Sequence, residues 1–163
     1  MGSDAAEEAG DAVTTSTPPI LDRLTDAQVV ALTLVGEARG EPLDGMIAVA
    51  QVIGHRTHDA RWPNDWRGVC WARKQFSCWN VFDSNRAVLE RLAPSLVSGG
   101  SLGTHRGEVV EALWIADGVM AGRLRDLVHG ACHYHALSVH PRWAAGHTPI
   151  AQIGNHRFYN DVA

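Results

Sequence analysis

The chain has too few cysteines for a disulfide scaffold. Cys70, Cys78 and Cys132 allow at most one internal bridge, and none stands in the C-x-x-C spacing of zinc and redox sites. No apolar run approaches the roughly 20 residues that a membrane-spanning helix needs, so no membrane-spanning segment is expected. A basic excess is also missing. With 14 Lys and Arg against 18 Asp and Glu, and a formal charge of -4, phosphate tracking is a poor source of affinity, and no nucleic acid partner is expected. The N-terminal stretch MGSDAAEEAGDAVTT is acidic where a secretory leader is basic and then apolar, so no signal peptide is expected.

What is there is globular: 163 residues, 45% apolar and 20% charged, enough for one domain to bury a core without disulfides or a structural metal. Residues 1–21, rich in Ala, Glu, Thr, Ser and Pro, read as a disordered tail, and residues 22–163 as the folded domain, expected to be a monomer. Thr25-Asp26-Ala27-Gln28 matches a capping box that opens a helix running to about Glu37. Val29, Val30, Leu32, Leu34 and Val35 leave that helix apolar nearly all round, the mark of one surrounded by other elements. Pro42 suits the first turn of a second helix, with Leu43, Met46, Ile47, Ala50 and Ile53 at helical spacing.

Residues 57–82 hold Trp62, Trp66, Trp71 and Trp79 without clear period and read as mostly loop with short turns. A short helix is expected from Ser84 to about Leu92, ending before Pro94. A third long helix follows, with Val109, Val110, Leu113, Trp114 and Met120 as its packed stripe and Gly122 as its stop. The stretches LVHGACHYHALSV and IAQIGNHRFY read as strands or extended chain. The expected class is α+β, mainly helical, with a small antiparallel β element.

The segment LVGEARGEPLDG, Leu34 to Gly45, carries the chemistry. Glu37 ends an apolar helix, near the negative end of the helix dipole and beside apolar packing, and both favour its protonated form. A carboxylic acid kept protonated can donate to a leaving oxygen, as breaking a glycosidic bond requires. The competing reading pairs Arg39 with Glu37 or Glu41 at a solvated corner. Glu41 and Asp44 are candidates for a second carboxylate, which two-acid glycosidases hold roughly 5 to 9 Å from the first. Gly40 and Pro42 break the register between Glu37 and Glu41, however, so solvent-facing cap chemistry is expected of both acids and a one-acid mechanism stays open.

Two other clusters compete for attention. The tryptophans can offer flat faces to sugar rings or simply fill the core. His133 and His135, two apart in a strand, place both imidazoles on one face, a spacing suited to zinc in an amidase or peptidase. No H-E-x-x-H accompanies them, and strand histidines also hydrogen-bond backbone. A wall-binding module without catalysis is a third possibility.

GEARGEP followed by GMIAVAQVIGHR, then QFSCW, HYHALSVHPRWA and IGNHRFY, in this order, resembles the cell wall hydrolases of the spore-cortex-lytic (SleB-like) type. The resemblance covers about Leu24 to Tyr159. It implies a fold similar to lysozymes and lytic transglycosylases, acting on peptidoglycan glycan strands with no metal or organic cofactor. Matched by position, the catalytic glutamate falls on Glu37, with Gln75, Phe76 and Ser77 on one cleft wall and Tyr134, His135 and Trp143 on the other. Phe76 and Trp143 could equally be packing. Cys132 departs from the threonine of many relatives. The peptidoglycan-binding module that precedes the domain in some members is not among these residues, so targeting is expected from the cleft or from elsewhere. The resemblance implies action at the cell wall, in a periplasm, a spore cortex or after phage delivery.

Overall fold

The structure, a computed structural model, describes residues 19–163, so the expected tail lies outside the described residues up to residue 18. Leu21, at the end of that stretch, is already buried in a short 3-10 turn. Thr25 then caps helix α1 (Asp26–Ala38): its hydroxyl accepts from the Gln28 N–H at 3.2 Å, and Gln28 Oε1 accepts from the Thr25 N–H at 2.8 Å. Every residue from Val29 to Val35 has 0% exposure, because α5, α3, α2 and α4 surround this helix. The one polar side chain in that run, Thr33, is satisfied, donating to Val29 O at 2.8 Å and accepting from Trp79 Nε1 at 2.9 Å.

Helix α2 (Leu43–Thr57) starts behind Pro42, and α3 (Trp66–Trp71) is capped by Asp65, whose side chain accepts from the Gly68 N–H at 2.7 Å. A 3-10 turn at Ser77–Trp79 leads to α4 (Ser84–Ser98), and α5 (Arg106–Met120) follows. Two expectations need correction. Helix α4 does not stop before Pro94 but carries it inside, although an interior proline costs about 3 kcal/mol. Buried Leu89, Leu92 and Ala93, a hydrogen bond from Gln28 Nε2 to Leu96 O at 3.0 Å and a left-handed cap at Gly99 hold the helix through it. In α5 the buried stripe is Val109, Ala112, Ile115 and Ala116, while Val110 and Trp114 are 52% and 55% exposed. The small alanines in that stripe let α5 lie close along α1.

The C-terminal third folds as a three-stranded antiparallel sheet, β1 (His133–Ala136), β2 (Ala151–Ile153) and β3 (His156–Tyr159), in the order β1-β3-β2. Tyr134 lies opposite Phe158, and His133 opposite Tyr159. Strand alternation therefore gives Tyr134, Ala136, His156 and Phe158 one face, and His133, His135 and Tyr159 the other. Strands β1 and β2 rest on α2, which brings the sheet beside the helical core.

Candidate active site

Glu37 stands in the last turn of α1, half-buried, with its side chain directed by a close approach of two backbones. A Cβ added to Gly36 would lie 2.7 Å from Cys78 Sγ, so only glycine admits the Ser77–Trp79 turn here. That turn supplies the anchor. Glu37 Oε1 accepts the Cys78 N–H at 2.8 Å, with Ser77 Oγ at 3.4 Å. Glu37 Oε2 has no hydrogen-bond partner among the described residues and is left available to a ligand.

Tyr134, on β1, lies within reach of this acid's charge. Burial, and then the nearby Glu37 carboxylate, push its phenol far above the usual tyrosine range, so it is a neutral hydroxyl at any working pH. Its ring stacks on Phe158 at 5.7 Å and meets the edge of His156 at 5.1 Å. Of the expected wall residues, Ser77 is the one with a contact to Glu37, at 3.4 Å. Gln75 is exposed, two positions before Ser77. Phe76 is 2% exposed and lies under the Arg56 guanidinium at 5.5 Å, so it supports the wall from inside.

His135 and Trp143 belong to the other face of the sheet. Trp143 meets the rings of His133 at 5.3 Å, His135 at 5.6 Å and Tyr159 at 5.3 Å. His135 is 8% exposed and its two ring nitrogens are occupied, with Nδ1 2.8 Å from Ala136 O and Nε2 2.9 Å from the Tyr159 hydroxyl. Neither nitrogen is free to ligate. His133 shares that face, wedged between Trp62 and Trp143. Burial, then the Arg56 and Arg61 charges, lower its pKa to about 4. Among the described residues no group of three or more His, Cys, Asp or Glu is placed to hold a metal ion, and the zinc reading lacks its donor set.

Arg39 pairs with neither acid: its guanidinium donates to Asn85 Oδ1 at 3.1 Å. Asp44 is exposed in the first turn of α2, as cap chemistry requires. Glu41 departs from expectation, because its side chain is only 9% exposed and is held by distant residues of the β2–β3 turn. Sequence reasoning assigned no role to His156 or Arg56 either. The signal for both was present, in IGNHRFY and in the HR that ends the apolar run of α2. Arg56 is 5% exposed, donates from Nε to Cys132 O at 2.8 Å, and lies over Trp62 and Phe76.

The tryptophans do not form one platform. Trp79 is 8% exposed and meets Trp71 edge-on at 5.9 Å in the core, Trp66 fits over Gly54, and Trp62 joins His133. All three cysteines are free and buried, and burial pushes the Cys70 thiol up to about 12.

The model of the cell wall hydrolase family matches residues 40–159. The chain belongs to that family. The matched span opens at Gly40, just beyond Glu37, and includes Ser77, Tyr134 and His156. The spore cortex-lytic enzyme of Halalkalibacterium halodurans is 33% identical over 100 residues, 55% of this chain and 30% of that protein. That of Oceanobacillus iheyensis is 42% identical over 52 residues, 32% of this chain and 19% of that protein. The chain thus matches less than a third of the length of these relatives.

The fold resembles the catalytic domain of the germination-specific lytic transglycosylase SleB from Bacillus anthracis. The TM-score is 0.59 and the identity 23%, covering 91% of this chain and all of that one. The catalytic domain of the Bacillus cereus SleB protein matches with TM-score 0.54 and 26% identity over 83% of this chain and 89% of that one. The mainly helical α+β architecture with its small sheet is therefore that of the SleB catalytic domains.

Proposed function

We propose that residues 22–163 form a peptidoglycan-cleaving glycosidase of the lytic transglycosylase type, with Glu37 as its single acid and base. The observation that carries this reading is the asymmetry of the Glu37 carboxyl group: Oε1 is fixed by the Cys78 N–H at 2.8 Å, and Oε2 is unoccupied among the described residues. An acid fixed at one oxygen presents the other in a set direction, as proton transfer to a glycosidic oxygen demands. Membership of the cell wall hydrolases and the likeness to spore cortex-lytic enzymes support the same reading.

In this reading protonated Glu37 gives its proton to the oxygen joining N-acetylmuramic acid to N-acetylglucosamine. The C1–O bond breaks and its electron pair leaves on that oxygen. The muramic C6 hydroxyl bonds to C1 and returns its proton to the Glu37 carboxylate, so the enzyme is restored and no water is consumed. Ser77 and the neutral Tyr134 hydroxyl are the candidates to line the place where these atoms meet, and exposed Gln75, two positions before Ser77, is the candidate for a contact further along the glycan.

The test is digestion of purified sacculi by the wild type and by Glu37→Gln. A general acid contributes about 10²- to 10⁴-fold, and a loss of that size in a variant with unchanged melting temperature is expected. Full activity in that variant, or released peptide stems with uncut glycan, would overturn the proposal.

A further inference from the structure

Glu41, the second acid of GEARGEP, is the most deeply covered carboxylate in an ion pair among the described residues, with a side chain 9% exposed. A carboxylate so placed needs compensating partners. Asn155 N–H donates to its Oε2 at 2.9 Å, and His156 Nδ1 stands 3.7 Å from its Oε1. Two glycines make the space. A Cβ on Gly154, whose φ is +56°, would run into Oε2, and one on Gly45 would lie 3.2 Å from it. The turn between β2 and β3 is thus moulded around this one carboxylate.

The imidazole beside it is also enclosed. His156 is 7% exposed, and its Nδ1 has no hydrogen-bond partner among the described residues, which leaves Glu41 as the acceptor that it faces. Its ring packs edge-on against Tyr134, interplanar angle 84°. The Glu37 charge in turn reaches Tyr134, adding to the rise of its phenol, and Glu41 itself follows Glu37 by four residues at the corner that ends α1. Burial lowers the proton affinity of His156, while the charges of Glu41 and Glu37 oppose that effect and His135 adds to it. A chain of packed groups therefore runs from Glu41 through His156 to Tyr134, whose phenol feels the Glu37 charge.

We propose that Glu41 and His156 are positioning residues for Glu37: Glu41 clips the β2–β3 turn to the corner between α1 and α2, where α1 presents the acid, and the imidazole held there, protonated on Nδ1, fixes Tyr134 on the same side of the sheet. The inference rests on the reading of Glu37 given above. Neither residue touches a reacting atom. Loosening the clip displaces the acid relative to the bond it protonates, which lowers the chemical step, and leaves the binding of the outer sugars nearly intact.

The experiment measures kcat and KM on purified sacculi, with melting temperature, for the full chain carrying Glu41→Ala, Glu41→Gln, His156→Leu or His156→Asn. Long-range 1H–15N spectra of the imidazoles accompany it. In Glu41→Ala and His156→Leu, kcat is expected to fall by about tenfold or more, with KM changed by less than about twofold. His156→Asn restores a donor at the Nδ1 position and is expected to keep about half the activity or more. The wild-type spectrum is expected to show the His156 proton on Nδ1. If Glu41→Ala fails to fold, Glu41→Gln, which keeps an acceptor for the Asn155 N–H but not the charge, carries the comparison, with a smaller loss of kcat.

Wild-type kcat in a folded Glu41 variant, a His156→Asn no better than His156→Leu, or a proton on Nε2 in the wild type would overturn the inference. A wild type that cuts no glycan would instead remove the reading of Glu37, and the tautomer would still decide the clip.

Discussion

Glu37 and Gly36 act as a unit: the glycine lets the Ser77–Trp79 turn approach α1, and the turn's Cys78 N–H then fixes the glutamate at 2.8 Å. Gly36→Ala puts a methyl group against the Cys78 side chain, where there is no room for it. Overpacking of this kind costs about 1–3 kcal/mol. Denaturant titration should show that loss, and sacculus digestion should slow because the anchor of Oε1 is displaced. A variant with wild-type stability and rate would mean that the close approach is not needed.

The face of the sheet away from Glu37 gives the protein an acid-sensitive stability. His133 titrates at about 4 in the folded chain, chiefly because of burial, against about 6.5 for an unperturbed histidine. Above the unfolded value both states are neutral and the contribution is complete. As pH falls from about 6.5 towards 4 the unfolded chain takes up a proton that the folded chain refuses, so stability declines across that window. His156, also lowered by burial, adds a slope of the same sign. Melting temperatures measured across this range should fall with pH in the wild type and fall less in His133→Phe. Asp59 titrates at about 2 because of its hydrogen bonds from Arg61, and its own contribution is lost at lower pH. Equal slopes in wild type and His133→Phe would contradict the assignment.

Arg56 is a buried guanidinium without a carboxylate partner within ion-pair range among the described residues. Its Nε bond to Cys132 O and its place between Trp62 and Phe76 hold it. Arg56→Ala removes that bond and leaves a cavity, an expected loss of about 2–4 kcal/mol by denaturant titration. Arg56→Lys should also destabilise, since an ammonium lacks the planar fork that stacks between two rings. Two variants within about 0.5 kcal/mol of the wild type would show that this guanidinium does not hold the fold.

A chelator separates glycosidase from zinc chemistry. Both His135 nitrogens are occupied within the protein, so EDTA is expected to leave sacculus digestion and melting temperature unchanged. Loss of activity on chelation, restored by zinc, would revive the His133–His135 reading.

Local signals in the sequence survived into the structure. The Thr25–Gln28 capping box, the all-round apolar α1 and the acid at its end were legible because each depends on residues within a turn or two. Glu41 was misread because its partner Asn155 is 114 positions away and no local pattern announces it. Pro94 looked like a stop because propensity is local, whereas the packing of Leu89, Leu92 and Ala93 that carries the helix through it is tertiary. In HYHA the alternation of faces was clear, but which parity meets the helices depends on how β3 and α2 lie against the strand. The structure gives that place to Tyr134 and withholds it from His135.

The central claim is that one carboxyl group both gives and recovers the proton in cutting the glycan. Mass spectrometry of the muropeptides released from purified sacculi tests it most directly. The wild type is expected to leave 1,6-anhydromuramic ends, and folded Glu37→Gln to leave none above the undigested background. Anhydro ends produced equally by both proteins would contradict it.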